Sequence, residues 1–295
     1  MLGFCLLAGL IEAPLVITGA LEALPPRETL EDARMGLLDG KIGLVTGIAN
    51  DRSYAWHIAK GLTEQGATCA FAHLPGEKNE RRTSKAVEKL GVANPWLHPF
   101  DAGSDADLKS LFEAYASKHE RLDFIVHSIA FAEREWLAAG KFIETPRQAY
   151  LQAIDISAYT LLSMAQLGRE QMRASGGGSI MAMSYYGGEK VVPGYNVMGV
   201  AKAALECTAR YLAAELGGDN IRVNIISGGY LRTLAASAVG GTDTMDEMAL
   251  RKAPLRRGVE GDDVGGTAVY LASPLSKGVT GETIYVDCGV NTIGV

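Results

Sequence analysis

Several kinds of functional signal are absent from this sequence of 295 residues. The four cysteines, Cys5, Cys69, Cys207 and Cys288, are scattered, without a Cys-x2-Cys pair and without a histidine at metal-ligand spacing. They predict no metal site, and they are typical of small buried residues or free thiols in a reducing compartment. The net charge is -6 and no basic block exceeds two residues, so nucleic acid is not expected as a partner.

Residues 1–34 lack a clear targeting signal. Their first part is largely apolar, but Glu12, Pro14 and Glu22 interrupt it, and no lysine or arginine precedes position 27. A secretory signal needs a positively charged start, and a membrane span needs about 20 nearly uncharged residues. We interpret 1–34 as an N-terminal extension, either disordered or the result of a misassigned start, with a targeting or membrane-surface segment as the alternative. A cytoplasmic protein without a membrane partner is therefore expected.

From residue 41 onward, short apolar segments alternate with longer amphipathic ones. The short segments predict strands at 42–45, 68–72, 96–100, 124–127, 179–183, 223–226 and 283–286. The longer segments predict helices near 53–65, 78–90, 105–118, 147–173, 196–217 and 262–272. This alternation predicts a single-domain, Rossmann-like α/β fold over residues 35–295, in which helices cover both faces of a doubly wound parallel sheet.

The spacing of one tyrosine and one lysine carries the most chemical information. Tyr195 and Lys202 are seven residues apart, so on a helix both side chains project from one face, about 10.5 Å apart along the axis. The short-chain dehydrogenase/reductase superfamily ordinarily uses Tyr-x3-Lys, but Gly199 occupies the position four after Tyr195. In reduction of an α,β-unsaturated thioester, hydride adds to C3 while charge develops on the oxygen of C1. The acid must then lie farther from the nicotinamide than in a ketone reductase.

Residues 194–203, together with the preceding Ser184-Tyr185, closely resemble the enoyl-[acyl-carrier-protein] reductases of bacterial type II fatty acid synthesis. The resemblance extends over about residues 36–294. It implies hydride transfer from NADH to C3 of a trans-2-enoyl thioester, the last reductive step of the elongation cycle. The alternatives are a 3-oxoacyl or other carbonyl reductase, which the Tyr-Lys spacing opposes, and a non-catalytic dinucleotide-binding module, which the presence of both residues opposes.

The resemblance also implies roles for individual residues. Tyr195 is expected to stabilise the enolate, Lys202 to hold the nicotinamide ribose, and Tyr185 to act as a second active-site tyrosine. The predicted substrate-binding residues are Ala132, Tyr185, Tyr195 and Met198. Residues 231–237 resemble the family's substrate-binding lid, which covers the acyl chain and the cofactor.

The predicted cofactor site begins at the turn after the first strand. That turn lacks G-x-G-x-x-G but matches the family's Gly-x5-Ser pattern through Gly47 and Ser53, with a tight turn and an ordinary N-cap as the alternative interpretation. The predicted cofactor-binding residues are Gly47, Ser53, Tyr54, Asp101, Ala102, Ser128, Ile129, Ala130, Lys202, Leu231 and Thr233. No acid ends the second strand, so NADH is favoured on family grounds, with NADPH as the alternative.

The expected partners are an acyl carrier protein and further copies of the chain in a homotetramer. Arg251, Lys252, Arg256 and Arg257 give positive charge beside the predicted lid, which would attract an acidic carrier, although a solvated helix end explains the charge equally well. Two residues depart from the family pattern. Tyr230 replaces a proline, and Cys288 replaces a glycine or alanine.

Overall fold

The computed structural model describes residues 36–231 and 251–294. These residues all belong to one compact unit, Met35–Val295. The predicted extension at 1–34 lies outside the described residues, as does most of the predicted lid. Within the described ranges, no helix has the length and apolar character needed to cross a membrane.

Seven parallel strands form a single sheet in the order β3-β2-β1-β4-β5-β6-β7. The strands are β1 (Ile42–Thr46), β2 (Thr68–His73), β3 (Leu97–Pro99), β4 (Phe124–His127), β5 (Gly178–Tyr185), β6 (Ile221–Gly228) and β7 (Thr283–Val286). All seven predicted strands are confirmed, and so is the doubly wound class. β5 and β6 are longer than predicted because they pair with each other along their whole length, from Gly178 opposite Ile221 to Tyr185 opposite Gly228.

Helices cover both faces of the sheet. They are α1 (Tyr54–Glu64), α2 (Glu77–Glu88), α3 (Asp105–Lys118), α4 (Arg147–Ile154), α5 (Thr160–Ala174), α6 (Val197–Leu216) and α7 (Gly261–Ala272). Because successive strand residues point to opposite faces, Leu44 packs in the apolar core beneath α3, α5 and α6. Its neighbour Val45 packs in the core beneath α1, α2 and α7. Both cores are apolar, as a fully covered parallel sheet requires.

The predicted helix at 147–173 is divided in the structure. α4 and α5 are joined by one turn of π-helix, Asp155–Tyr159, and such turns occur often near functional sites. The Ser157 hydroxyl accepts a hydrogen bond from the Phe131 amide at 3.0 Å and donates to the Phe131 carbonyl at 3.3 Å. The Thr160 hydroxyl donates to the Ile156 carbonyl at 2.7 Å. The Ser157 bonds tie the π turn to the loop after β4, which apolar periodicity alone could not reveal.

Candidate active site

The chain reverses its direction of strand addition between β1 and β4, and ligands of doubly wound folds bind at that point. The loops after these two strands are in direct contact there. Gly47 has a φ of +90°, and a Cβ atom on it would lie 2.0 Å from the Ser128 carbonyl oxygen. No residue larger than glycine therefore fits at position 47, and the two loops pack against each other where doubly wound folds have their binding crevice.

The turn between Gly47 and α1 is held by side chains. Ser53 is the N-cap of α1, but its hydroxyl does not cap the helix; it donates instead to the Asn50 carbonyl at 2.7 Å. Tyr54 donates from its hydroxyl to the Gly229 carbonyl at 2.5 Å. The Tyr54 side chain thus links the loop after β1 to the loop after β6, and burial raises the pKa of its phenol.

Five of the predicted cofactor-binding residues, Asp101, Ala102, Ser128, Ile129 and Ala130, follow the carboxyl ends of β3 and β4. The Asp101 carboxylate accepts a hydrogen bond from the Gly103 amide at 2.9 Å, so this side chain satisfies local backbone. Ala102 and Ile129 pack against the core under α3 and α5, and Ala130 is exposed. These positions follow the carboxyl ends of β3 and β4, as Gly47 follows that of β1, and their contacts with a cofactor stay a prediction.

Two tyrosines meet at the end of β5. The rings of Tyr185 and Tyr195 pack edge to face, with centroids 4.9 Å apart. Tyr195 lies against Gly187, where a Cβ atom would come within 2.3 Å of the tyrosine ring. Gly199 is equally confined, because a Cβ atom on it would lie 2.6 Å from the Gly187 carbonyl oxygen. The glycine that displaces the common Tyr-x3-Lys spacing is thus required by packing.

Tyr195 does not lie on the helix that carries Lys202, contrary to the expectation from spacing. α6 begins at Val197, and Asn196 before it has φ 44° and ψ −122°, far from helical values. The chain therefore turns sharply between Tyr195 and the helix. Lys202 lies on α6, is buried, and donates to the Met183 carbonyl at 2.7 Å.

The charge of Lys202 is influenced by burial and by one neighbouring carboxylate. Burial lowers the pKa of the Lys202 ammonium to about 8, and the nearby Glu206 carboxylate opposes that shift. Glu206 accepts a hydrogen bond from the Ser184 hydroxyl at 2.5 Å, and partial burial raises the pKa of this carboxyl. Glu206 was not identified from sequence, although its position one helical turn after Lys202 was a usable signal.

His127, at the end of β4, is a second group that sequence reasoning missed. It is fully buried, and its Nε2 atom lies 2.7 Å from the Thr160 hydroxyl oxygen. Because the Thr160 hydroxyl donates its own hydrogen to the Ile156 carbonyl, its oxygen accepts a hydrogen bond from Nε2–H of His127. Burial, reinforced by the charge of Lys202, lowers the pKa of His127 to about 3. The imidazole is therefore neutral.

An apolar cluster lies beside the tyrosine pair. Leu137, Ala153, Val197, Met198 and Ala201 form its buried part. Ala132 and Tyr195 pack against it, so three of the four predicted substrate-binding residues lie together. Met198 is 6% exposed and stands four residues before Lys202, where a Tyr-x3-Lys protein has its tyrosine.

The loop after β6 is described only as far as Leu231, which is half-buried. Thr233 and the rest of the predicted lid lie outside the described residues. Tyr230, one of the two departures, lies close enough to Tyr185 that its phenol contributes to raising the Tyr185 pKa, after the larger effect of burial. Cys288 is buried and has a φ of 58°, a backbone conformation that glycine adopts without strain.

Known proteins match this chain over most of its length. Residues 47–291 match the family described as Enoyl-(Acyl carrier protein) reductase. The chain is 47% identical over 261 residues to the Enoyl-[acyl-carrier-protein] reductase [NADH] FabI of Synechocystis sp., covering 88% of this chain and 99% of that protein.

The chain belongs to the enoyl-[acyl-carrier-protein] reductase family. Solved structures of relatives agree with this assignment. The Bacillus cereus enoyl-acyl carrier protein reductase, solved with NADP+ and indole naphthyridinone, has a TM-score of 0.85 and 41% identity, covering 88% of this chain and all of that one. The Anaplasma phagocytophilum enzyme, solved with NAD, has a TM-score of 0.83 and 42% identity, covering 88% of this chain and 97% of that one. The expected family and fold are thereby confirmed.

Proposed function

We propose that this protein reduces the trans-2 double bond of enoyl-[acyl-carrier-protein] thioesters, with NADH as the reductant. The observation that supports this most directly is the site around Tyr195: a tyrosine displaced from Lys202 by a sharp turn, beside a second tyrosine and an apolar cluster. Family membership supports the same reaction. The fatty acyl chain of the proposed substrate is apolar, as is the cluster beside Tyr195.

The residues at the strand ends suit a dinucleotide. Gly47 and Ser128 bring the backbone of two loops together at the carboxyl ends of β1 and β4, which is where a doubly wound fold binds a dinucleotide. The first-turn amides of α1 provide donors at a helix N-terminus. We assign Gly47, Ser53 and the segment 128–130 to cofactor binding, with Lys202 on the ribose. When bound, NADH supplies a hydride from C4 of its nicotinamide.

Tyr195 and Lys202 stabilise the charge that develops on the substrate. As hydride adds to C3, the electron pair of the double bond shifts toward C1, and the C1 oxygen becomes an enolate oxygen. Because burial raises the pKa of Tyr195, its hydroxyl stays protonated and can donate a hydrogen bond to that oxygen. The Lys202 ammonium, charged below its pKa of about 8, favours the same anion. C2 takes up a proton afterwards.

A comparison of two substrates tests the reaction. We expect the protein to oxidise NADH faster with a crotonyl thioester than with an acetoacetyl thioester, because Tyr195 is seven residues from Lys202 and not four, as in carbonyl reductases. The same assays with NADPH test the cofactor preference. Faster turnover of the acetoacetyl thioester would support the carbonyl-reductase alternative instead.

We further propose that the protein acts as a cytoplasmic homotetramer on an acyl carrier protein. Exposed apolar side chains on α5 and α6, Leu162 at 42% and Tyr211 at 75% exposure, provide surface for subunit contacts. Arg251 and Arg256 are exposed and available to an acidic carrier, whereas Arg257 pairs with Asp263 at 2.6 and 2.9 Å. Light scattering at micromolar concentration tests the tetramer, and a stable monomer would contradict it.

A further inference from the structure

Asn196, between Tyr195 and the first residue of α6, has a backbone conformation that non-glycine residues rarely adopt. Its φ is 44° and its ψ is −122°. Asparagine tolerates the left-handed helical region, but that region has ψ near +47°. The conformation of Asn196 is instead one that glycine adopts freely. Such a conformation persists only where surrounding contacts impose it, and these positions cluster at active sites.

The side chain of Asn196 does not perform the usual task of an asparagine at a helix start. An N-cap asparagine accepts a hydrogen bond from an amide of the first turn, and Asn196 makes no such bond. Its Nδ2 atom donates to the Trp136 carbonyl at 2.7 Å and to the Ala138 carbonyl at 2.8 Å. Both hydrogens of the Asn196 side-chain amide are therefore donated to segment 136–138, about 60 residues earlier in the sequence.

The two acceptor carbonyls flank Leu137, which is 4% exposed and packs against Val197 and Met198 at the start of α6. Tyr195 packs against the same cluster. One side chain thus fixes segment 136–138, a wall of the proposed acyl site, against the turn that presents the proposed acid.

We propose that Asn196 is a positioning residue for Tyr195. Its two donated hydrogen bonds hold the Asn196 backbone at φ 44° and ψ −122°, and this conformation directs the Tyr195 ring against Tyr185 and Gly187. The same bonds keep segment 136–138 in contact with α6. The inference rests on the proposed function, because Asn196 acts on the reaction only through Tyr195 and the acyl site.

Three substitutions separate the backbone effect from the side-chain effect. Asn196→Ala and Asn196→Asp both remove the two donors and leave a residue that disfavours this conformation. We expect each to lower kcat with crotonyl thioester by about 10- to 100-fold, with KM for NADH changed by less than about twofold. Glycine adopts this conformation without strain, so Asn196→Gly should have a kcat near that of the wild type. Its KM for the thioester should be higher than in the wild type, because segment 136–138 has lost its hydrogen bonds to Asn196.

Asn220 provides a matched control. It also has a positive φ, 58°, and donates from Nδ2 to a carbonyl, that of Gly176 at 2.8 Å. Asn220 lies at the amino end of β6, however, whereas the site lies at the carboxyl ends of the strands. Asn220→Ala should lower the melting temperature and leave kcat unchanged. This control separates a loss of stability from a loss of positioning.

A double-mutant cycle completes the test. If Asn196 acts through Tyr195, Asn196→Ala should reduce kcat by less than about twofold in a Tyr195→Phe background. A wild-type kcat for Asn196→Ala, or effects of the two substitutions that multiply fully, would overturn the inference. If the wild-type protein does not reduce the crotonyl thioester, the proposed function fails, and the inference fails with it. An active wild type with an equally active Asn196→Ala variant would refute the inference alone.

Discussion

The crevice at the carboxyl ends of the strands has a β1–β4 side and a β5–α6 side, and these are built by different means. On the β1–β4 side, backbone touches backbone where Gly47 meets the Ser128 carbonyl. On the β5–α6 side, the geometry depends on polar side chains, among them the buried Lys202 on the Met183 carbonyl and the half-buried Asn196 on two distant carbonyls. A cofactor-binding loop can therefore be disrupted by adding one methyl group, whereas the reaction side is sensitive to charge and to hydrogen-bond donors.

The largest effect is expected on the backbone side. Gly47→Ala places a Cβ atom 2.0 Å from the Ser128 carbonyl oxygen at a φ of +90°, so the two loops must separate. We expect NADH affinity, measured by fluorescence titration, to fall by about 100-fold, equivalent to about 2.7 kcal/mol. Gly217→Ala is the control, because a Cβ atom there meets nothing within 4 Å. Equal NADH affinity in both variants would show that the contact does not shape the cofactor site.

On the charged side, the rate should depend on the protonation of Lys202. The ammonium loses its proton as pH rises through about 8, so kcat/KM for NADH should be constant below that pH and fall about tenfold for each unit above it. Lys202→Ala should show a low kcat/KM with no inflection near pH 8. An inflection that survives in this variant would assign the titration to another group.

His127 offers a smaller effect, on stability instead of rate. Its pKa of about 3 in the folded protein lies below the value of about 6.5 expected in the unfolded chain. The unfolded state therefore binds more protons between these values, and stability falls as pH decreases through this window. From pH 7 to pH 5, His127 should account for about 2 kcal/mol of lost unfolding free energy. Urea denaturation of wild type and His127→Gln at both pH values measures this, and identical losses would contradict it.

The smallest effect is expected from removing residues 1–34. All assigned cofactor and substrate groups lie at or after Gly47, so a chain that begins at Met35 should bind NADH and turn over substrate like the full chain. Steady-state kinetics of the two chains, with circular dichroism to verify the fold, is the measurement. Lost activity with an intact fold would place the extension in the active site or in a subunit interface.

The sequence predicts the two sides of the crevice unequally. Seven strands and their two-sided burial follow from periodicity, and Gly47 follows from a pattern in which only glycine serves. The turn at Asn196 does not, because its conformation is imposed by carbonyls about 60 residues earlier. The π turn beside Ser157 also escapes detection, since apolar spacing continues through it. Buried polar groups such as His127 and Glu206 acquire their roles only when separate segments pack together.

The proposed reaction requires the Tyr195 hydroxyl to donate a hydrogen bond to the thioester oxygen, and Tyr195→Phe tests this most directly. The substitution removes one hydroxyl and keeps the ring against Gly187 and Tyr185. We expect kcat with crotonyl thioester to fall by about 100- to 1,000-fold, less if Tyr185 donates in its place, with NADH affinity unchanged. The kcat values of Tyr185→Phe and of the double variant show how far Tyr185 can replace Tyr195 as the donor. Full activity in both single variants and in the double variant would contradict the assignment.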